Sequence, residues 1–188
     1  SATITSTDAT CNGDCDGTIT ATPSGGNAPY LYQWDDALNQ TTQTATNLCT
    51  GTYTVIVTDI TGCQAAPETV TLGEPAAISS TFTVTDIVCF GNCDGQIQSN
   101  VNGGTLPYTY LWDDPAATIT STVSNLCAGT YTLDVTDGNG CNTSLTATVT
   151  EPTEILANIT ATDASCNGVC DGTITTTTSG GLAPYTYS

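Results

Sequence analysis

Cysteine is the residue whose spacing carries the most chemistry in this sequence. Cys11, Cys15, Cys49 and Cys63 recur 78 residues later as Cys89, Cys93, Cys127 and Cys141, and Cys166 and Cys170 repeat the first two after a further 77. Four thiols per repeat suit either two disulfides or a zinc ion held by four thiolates. Zinc sites usually draw their cysteines from two closely spaced pairs. Here each repeat has one close pair, followed by gaps of 34 and 14 residues. The spacing favours disulfides formed in an oxidising compartment. A Cys11 to Cys15 bond clips only a turn, worth about 2 kcal/mol in chain-entropy terms, whereas the loops closed by Cys15 with Cys49 and Cys11 with Cys63 are worth about 4 kcal/mol each. Cys49 with Cys63 is disfavoured because a strand of about seven residues would hold them roughly 20 Å apart. The expected bonds are therefore Cys11–Cys63, Cys15–Cys49, Cys89–Cys141 and Cys93–Cys127. Cys166–Cys170 is a default pairing, the alternative being partners supplied by the remainder of that repeat.

Carboxylates offer the second chemistry. Asp35-Asp36 and Asp113-Asp114 recur directly after a tryptophan, and Asp16, Asp94 and Asp171 recur in the first turn of each repeat. They read as solvated turn residues or as calcium ligands, since calcium takes six to eight oxygens. Calcium is thus the one cofactor the sequence suggests. Asp137-Gly138-Asn139-Gly140 looks like part of a calcium loop, but the matching Asp59-Ile60-Thr61-Gly62 lacks its oxygens, so a hairpin turn is the better explanation there. Paired carboxylates can also hydrolyse a glycoside, but that reaction needs a cleft that small strand-built modules rarely have.

The sequence contains 18 Asp plus Glu and no Lys, Arg or His, giving a formal net charge of −18 at pH 7. No salt bridge between side chains can form. Catalysis through a His or Lys base, an Arg clamp or a Ser/His or Cys/His pair is excluded. The expectation is a protein that is not an enzyme. Nucleic acid is excluded as a partner because nothing can grip phosphate. No apolar run is long enough to span a bilayer as a helix, so no membrane insertion is expected.

Short strands must position these groups. Tyr53, Val55 and Val57 alternate with Thr54, Ile56 and Thr58, and the second repeat gives Tyr131, Leu133 and Val135 against Thr132, Asp134 and Thr136. Asp134 in the place of Ile56 marks that face as solvated and the other as core, the period-2 signature of an antiparallel strand. By the same comparison Ile19, Ile97 and Ile174 face inward. Tyr30, Tyr32 and Trp34 form a further stripe, repeated as Tyr108, Tyr110 and Trp112, and Ile4, Phe82 and Ile159 mark another strand. Asp-Gly and Gly-Gly turns separate the runs. Six or seven Thr-rich strands per repeat, without helical periodicity, indicate an all-β fold of tandem immunoglobulin-like β-sandwich modules in an elongated array. Glu74-Pro75 and Glu151-Pro152 set the boundaries, giving repeats over 1–74 and 75–151 and a truncated third over 152–188.

The run Cys-Asn-Gly-Val-Cys-Asp-Gly-Thr-Ile-Thr at 166–175, followed by Ser179-Gly180-Gly181 and Pro184-Tyr185-Thr186-Tyr187, resembles the SprB-type repeat of Bacteroidetes surface adhesins. Asn125-Leu126-Cys127-Ala128-Gly129-Thr130-Tyr131-Thr132 and Val135-Thr136-Asp137-Gly138-Asn139-Gly140-Cys141 fit the same pattern. The resemblance implies long cell-surface proteins exported by the type IX system, with roles in adhesion and gliding and no catalytic residues. The expected role is a structural and adhesive segment on the bacterial surface, extracellular, whose partners are other copies of itself, neighbouring modules, or surface glycans and substrata. A fibre assembled by strand complementation and a calcium-dependent glycan-binding module are the alternatives.

Overall fold

The computed structural model describes residues 1–187, so Ser188, the last residue of the expected third repeat, lies outside the described residues. The described residues form strands joined by turns. The first repeat holds β1 (Ala2–Thr7), β2 (Gly17–Pro23), β3 (Tyr30–Trp34), β4 (Thr44–Leu48), β5 (Gly51–Asp59) and β6 (Glu68–Leu72). The second holds β7 (Ser79–Thr85), β8 (Gly95–Asn102), β9 (Thr109–Trp112), β10 (Thr122–Leu126), β11 (Gly129–Thr136) and β12 (Asn142–Val149), and the third β13 (Leu156–Thr162) and β14 (Thr173–Ser179). Each full repeat makes two three-stranded sheets, β1-β2-β4 with β3-β5-β6, then β7-β8-β10 with β9-β11-β12.

Alternation decides which side chains close the first sandwich. Ile19 and Ala21 from β2, Ala45 and Leu48 from β4, Trp34 from β3, Val55 and Val57 from β5 and Leu72 from β6 form one buried cluster. Trp34 sits between the sheets and satisfies its indole by donating Nε1–H to Thr42 O at 2.9 Å. Trp112 is equally buried and donates to Thr120 O at 3.0 Å. A buried indole N–H without an acceptor would be costly, so the loop after each tryptophan strand is part of the core design. The tyrosines of the stripe are half-buried, and Tyr30 donates its hydroxyl to Gly25 O. Ser99 replaces Ala21 in the second repeat and stays buried by bonding Ser80 Oγ at 2.9 Å.

The outward faces are held by threonine pairs. Thr7 and Thr18, Thr20 and Thr44, and Thr52 and Thr71 join hydroxyls across neighbouring strands at 2.6, 2.9 and 3.0 Å. Cross-strand pairs of this kind contribute a few tenths to about 1 kcal/mol each and need no charge. Two backbone irregularities also recur. Asn47 and Asn125 take positive φ values of 56° and 58°, and the β8–β10 register shifts between Ser124 and Leu126. Asparagine tolerates this left-handed conformation better than most residues, which accounts for the Asn-Leu-Cys motif at both places.

The compact units are not the repeat spans. One unit comprises Ser1–Ser79, Val101–Tyr108 and Val135–Thr143, the other Ser80–Asn100, Thr109–Asp134 and Ser144–Ser188. The hairpin of the second repeat therefore belongs with the first repeat's sandwich. Within that unit Gly104 N–H donates to Ala76 O at 2.7 Å and Gly138 N–H to Thr105 O at 2.6 Å.

The third repeat departs from expectation. Ile174 is not an inward residue here: it is 76 % exposed, and Ile159 is 67 % exposed. Among the described residues β13 and β14 pair only with each other, and no second sheet packs against their apolar face.

Gly17 is required by close approach and not by an unusual turn. A Cβ there would lie 2.8 Å from both Leu48 O and the Leu72 Cδ1 methyl. Gly17→Ala is expected to cost about 1–3 kcal/mol by overpacking. Gly51→Ala, where the nearest atoms are 3.6 Å away on the Tyr53 ring, should stay within about 0.5 kcal/mol. Urea denaturation of the two variants beside the unaltered chain measures both.

Candidate functional site

The structure bonds Cys15 to Cys49 and Cys93 to Cys127. Three expected bonds are absent, namely Cys11–Cys63, Cys89–Cys141 and Cys166–Cys170. Cys11 is bonded instead to Cys141, 130 residues on, with Cα atoms 5.7 Å apart, and Cys63, Cys89, Cys166 and Cys170 are exposed thiols. Strand length is the reason. The Cys15–Cys49 bond fixes the first turn at the end of the sandwich where β5 begins. Cys63 follows the other end of that nine-residue strand, roughly 27 Å along it. There it lines a cavity with Ser1 and Pro23, at the start of β1. A disulfide needs Cα atoms within about 7 Å, so Cys11 cannot reach its own repeat's hairpin. β11 separates its two ends in the same way. Cys166 and Cys170 share a turn closed by Val169 N–H to Cys166 O, the same bond that Asp14 N–H makes to Cys11 O. Its first-repeat counterparts bond to two different partners.

Of the carboxylates named as calcium candidates, Asp35, Asp36, Asp113 and Asp114 accept hydrogen bonds from the chain's own donors, and Asp16 and Asp171 accept the Thr10 and Ser165 N–H groups. Asp35 Oδ1 accepts Thr54 N–H at 2.7 Å and Asp113 Oδ1 accepts Thr132 N–H at 2.8 Å, tying the end of one strand to its neighbour. Asp36 and Asp114 are buried. Asp36 accepts from Gln40 N–H at 2.8 Å, Leu38 N–H at 3.1 Å and the Gln40 amide at 3.0 Å. Asp114 accepts from Thr118 N–H at 2.7 Å, Ala116 N–H at 3.2 Å and the Thr118 hydroxyl at 3.0 Å. Among the described residues no group of three or more Asp, Glu or Cys converges as a metal cage.

Two further buried carboxylates, Asp59 and Asp137, anchor the hairpins, where the sequence suggested a turn and, at Asp137, part of a calcium loop. Asp59 Oδ1 accepts Thr61 N–H, Thr61 Oγ1–H and Cys63 N–H at 2.9, 2.6 and 3.0 Å, while Oδ2 accepts Asn27 N–H. Asp137 repeats the arrangement with Asn139 N–H, Cys141 N–H and Thr105 N–H. The available signal was the recurrence of one acid three residues before a glycine in both full repeats.

These bonds favour the ionised form. The Thr61 hydroxyl and Cys63 N–H hold the Asp59 carboxyl down to about 2. At Asp36, burial pushes the carboxyl up, but the bonds from Gln40 and Leu38 together bring it below its ordinary value. Asp114 and Asp137 are lowered against burial in the same way, by Thr118 and by Thr105. A carboxyl that binds its proton more weakly when folded stabilises the fold above the unfolded value near 4 and loses that contribution as pH falls through the folded value. The urea midpoint is therefore expected to stay level from about pH 7 to 5 and to drop between about pH 4 and 2, and the double variant Asp59→Asn, Asp137→Asn should flatten that drop. A midpoint that rises towards pH 3 would mean that relief of repulsion among the 18 acids dominates.

Comparisons with known proteins bear on the repeat itself. The SprB repeat profile matches residues 3–39, 81–117 and 158–188. No curated protein matches the chain. Among solved structures, the C-terminal 282-residue fragment of intimin, in complex with the intimin-binding domain of the translocated intimin receptor, is 19% identical over 84% of this chain and 67% of its own, with a TM-score of 0.42. An amphioxus IgVJ-C2 molecule is 15% identical over 71% of this chain and 95% of its own, with a TM-score of 0.30. A tetra-tandem repeat from the extending region of a large adhesion protein is 13% identical over 95% and 63%, with a TM-score of 0.22. Structural likenesses this low carry no weight for function. The three sequence matches together span more than half of the chain and recur at its own repeat period, and on that ground the chain belongs to the SprB repeat family.

Proposed function

We propose that this chain is a structural segment of a bacterial cell-surface adhesion protein, in which tandem disulfide-tied sandwiches space and multiply present binding surfaces outside the cell. The tandem SprB repeat match carries the reading. Formed disulfides fit an oxidising, extracellular setting. The surface supports it too, because threonine pairs and internally bonded carboxylates hold the modules without cations. Function then comes from reach and from repetition, which raises avidity without a strong single site. Export by the type IX system and a part in gliding belong to this proposal as properties of the cell-surface proteins that the repeat resembles, with glycans or solid substrata as the surfaces met.

The spacer works without calcium in this reading, since Asp35, Asp36, Asp113 and Asp114 already serve the fold's own N–H groups. Thermal melting with a calcium chelator and with millimolar calcium is expected to give the same midpoint within roughly 1 °C, as a ligand that does not bind shifts nothing. A rise of several degrees with calcium would replace the spacer with the calcium-dependent binding module.

A second reading draws on the exposed apolar face of β13 and β14, whose Ile159 and Ile174 suit completion by strands of another copy. Light scattering across a concentration series distinguishes the two. A spacer stays monomeric, and strand complementation gives growing assemblies.

A further inference from the structure

The Cys11–Cys141 bond joins the first-turn cysteine of one repeat to the hairpin cysteine of the next, because Cys141 is the counterpart of Cys63 and not of Cys11. We propose that this is the general rule of the array: each first-turn cysteine is cross-linked to the hairpin cysteine of the following repeat. Cys89 is then the attachment point for the hairpin of a third complete repeat, and Cys63 for the first turn of a preceding one. The inference rests on the cysteine pattern and not on any adhesive role.

Both halves of the joint are already built around the free thiols. The turn that presents Cys89 is closed by Asn92 N–H to Cys89 O, as Asp14 N–H closes the turn of Cys11. Glu151 Oε2 accepts Gly91 N–H at 2.7 Å just as Glu74 Oε2 accepts Gly13 N–H at 2.7 Å. The hairpin that presents Cys63 is held by Asp59 as that of Cys141 is held by Asp137.

The seat is repeated as well. Beside Cys11, a cavity is bounded by Ala76, Ala77 and Ile78 on one side and by the hairpin residues Asp137, Gly140 and Cys141 on the other. Beside Cys89, a cavity is bounded by the counterparts Thr153, Glu154 and Ile155, together with Gly181 and Leu182. Gly181 N–H donates to Thr153 O at 2.8 Å, reproducing the bond of Gly104 to Ala76, and Leu182 stands where Thr105 receives the Gly138 N–H. Val88 and Phe90 flank Cys89 and are 65 % and 50 % exposed. A copy of the Val135–Thr143 hairpin is the element that this geometry seats. With no lysine in the sequence, lysine amide cross-links between side chains cannot form.

The chemistry balances as thiol–disulfide exchange. The Cys89 thiolate attacks a small disulfide oxidant such as oxidised glutathione and releases one thiolate. The hairpin cysteine's thiolate then attacks Cys89 Sγ in the mixed disulfide, forming the cross-link and releasing the second. Two electrons and two protons pass from the two cysteines to the oxidant.

The test lengthens the full chain after Ser188 with a copy of its own residues 112–151, which supplies further cysteines equivalent to Cys127 and Cys141. Both chains are oxidised with glutathione disulfide, alkylated and digested with pepsin under acid, since trypsin has nothing to cut. In the 188-residue chain, Cys11 is expected linked to Cys141, with four alkylated thiols at Cys63, Cys89, Cys166 and Cys170. Lengthening should reduce the alkylated thiols from four to two, Cys63 and Cys166, with Cys89 linked within the same chain to the added hairpin cysteine. In the lengthened chain, Cys89→Ser should leave that added cysteine alkylated. Cys11 linked to Cys63, Cys89 linked to Cys141 or to another chain, or Cys89 still alkylated after lengthening overturns the proposal.

Discussion

The chain contains no cationic side chain, and much of its construction follows from that. Every acid that leaves water must be neutralised by N–H or O–H dipoles, because no Lys, Arg or His exists to meet it. Asp36, Asp59, Asp114 and Asp137 are buried with three or four such donors each, mostly backbone amides of the turns around them. A carboxylate that gathers several N–H groups fixes the loop it sits in, as hydrogen bonds to a charged group are stronger than neutral ones. The acids are thus the staples of the turns, and threonine pairs take the place that ion pairs fill on ordinary protein surfaces.

Small modules bury a modest fraction of their surface, so covalent ties matter to them. The Cys15–Cys49 and Cys93–Cys127 bonds close each full repeat on itself at the end where the long central strand begins. The Cys11–Cys141 bond does something different. By joining residues 130 apart, it ties the first repeat's sandwich to the hairpin of the second, and the compact unit around it contains segments of both repeats. Sequence repeat and physical unit are offset from one another, which gives neighbouring copies a shared piece of structure.

Much of the fold was legible because it depends on local pattern. Val55 and Val57 against Ile56, or Leu133 and Val135 against Asp134, declared their faces by alternation, and the tryptophans fell between the sheets as the stripe required. Ile174 obeyed the same pattern and is nevertheless exposed, since alternation states which side would be buried and not whether a second sheet is present to bury it. Of the candidate site residues, Asp35, Asp36, Asp113 and Asp114 were recognised as a recurring set. The donors to Asp35 and Asp113 were not, because Thr54 and Thr132 lie on neighbouring strands 19 residues away.

The amino-acid sequence by itself determined the repeat, its strands, its inward faces and the absence of charge pairing, all of which depend on nearest neighbours and on comparison between copies. Tertiary structure alone decided which cysteine meets which and which distant amides, those of Asn27 and Thr105, complete the hairpin carboxylates Asp59 and Asp137. Those outcomes turn on the end of the sandwich at which a loop emerges. A nine-residue strand puts Cys63 a module's length from Cys11, and the docked hairpin of the next repeat brings Cys141 within bonding distance instead.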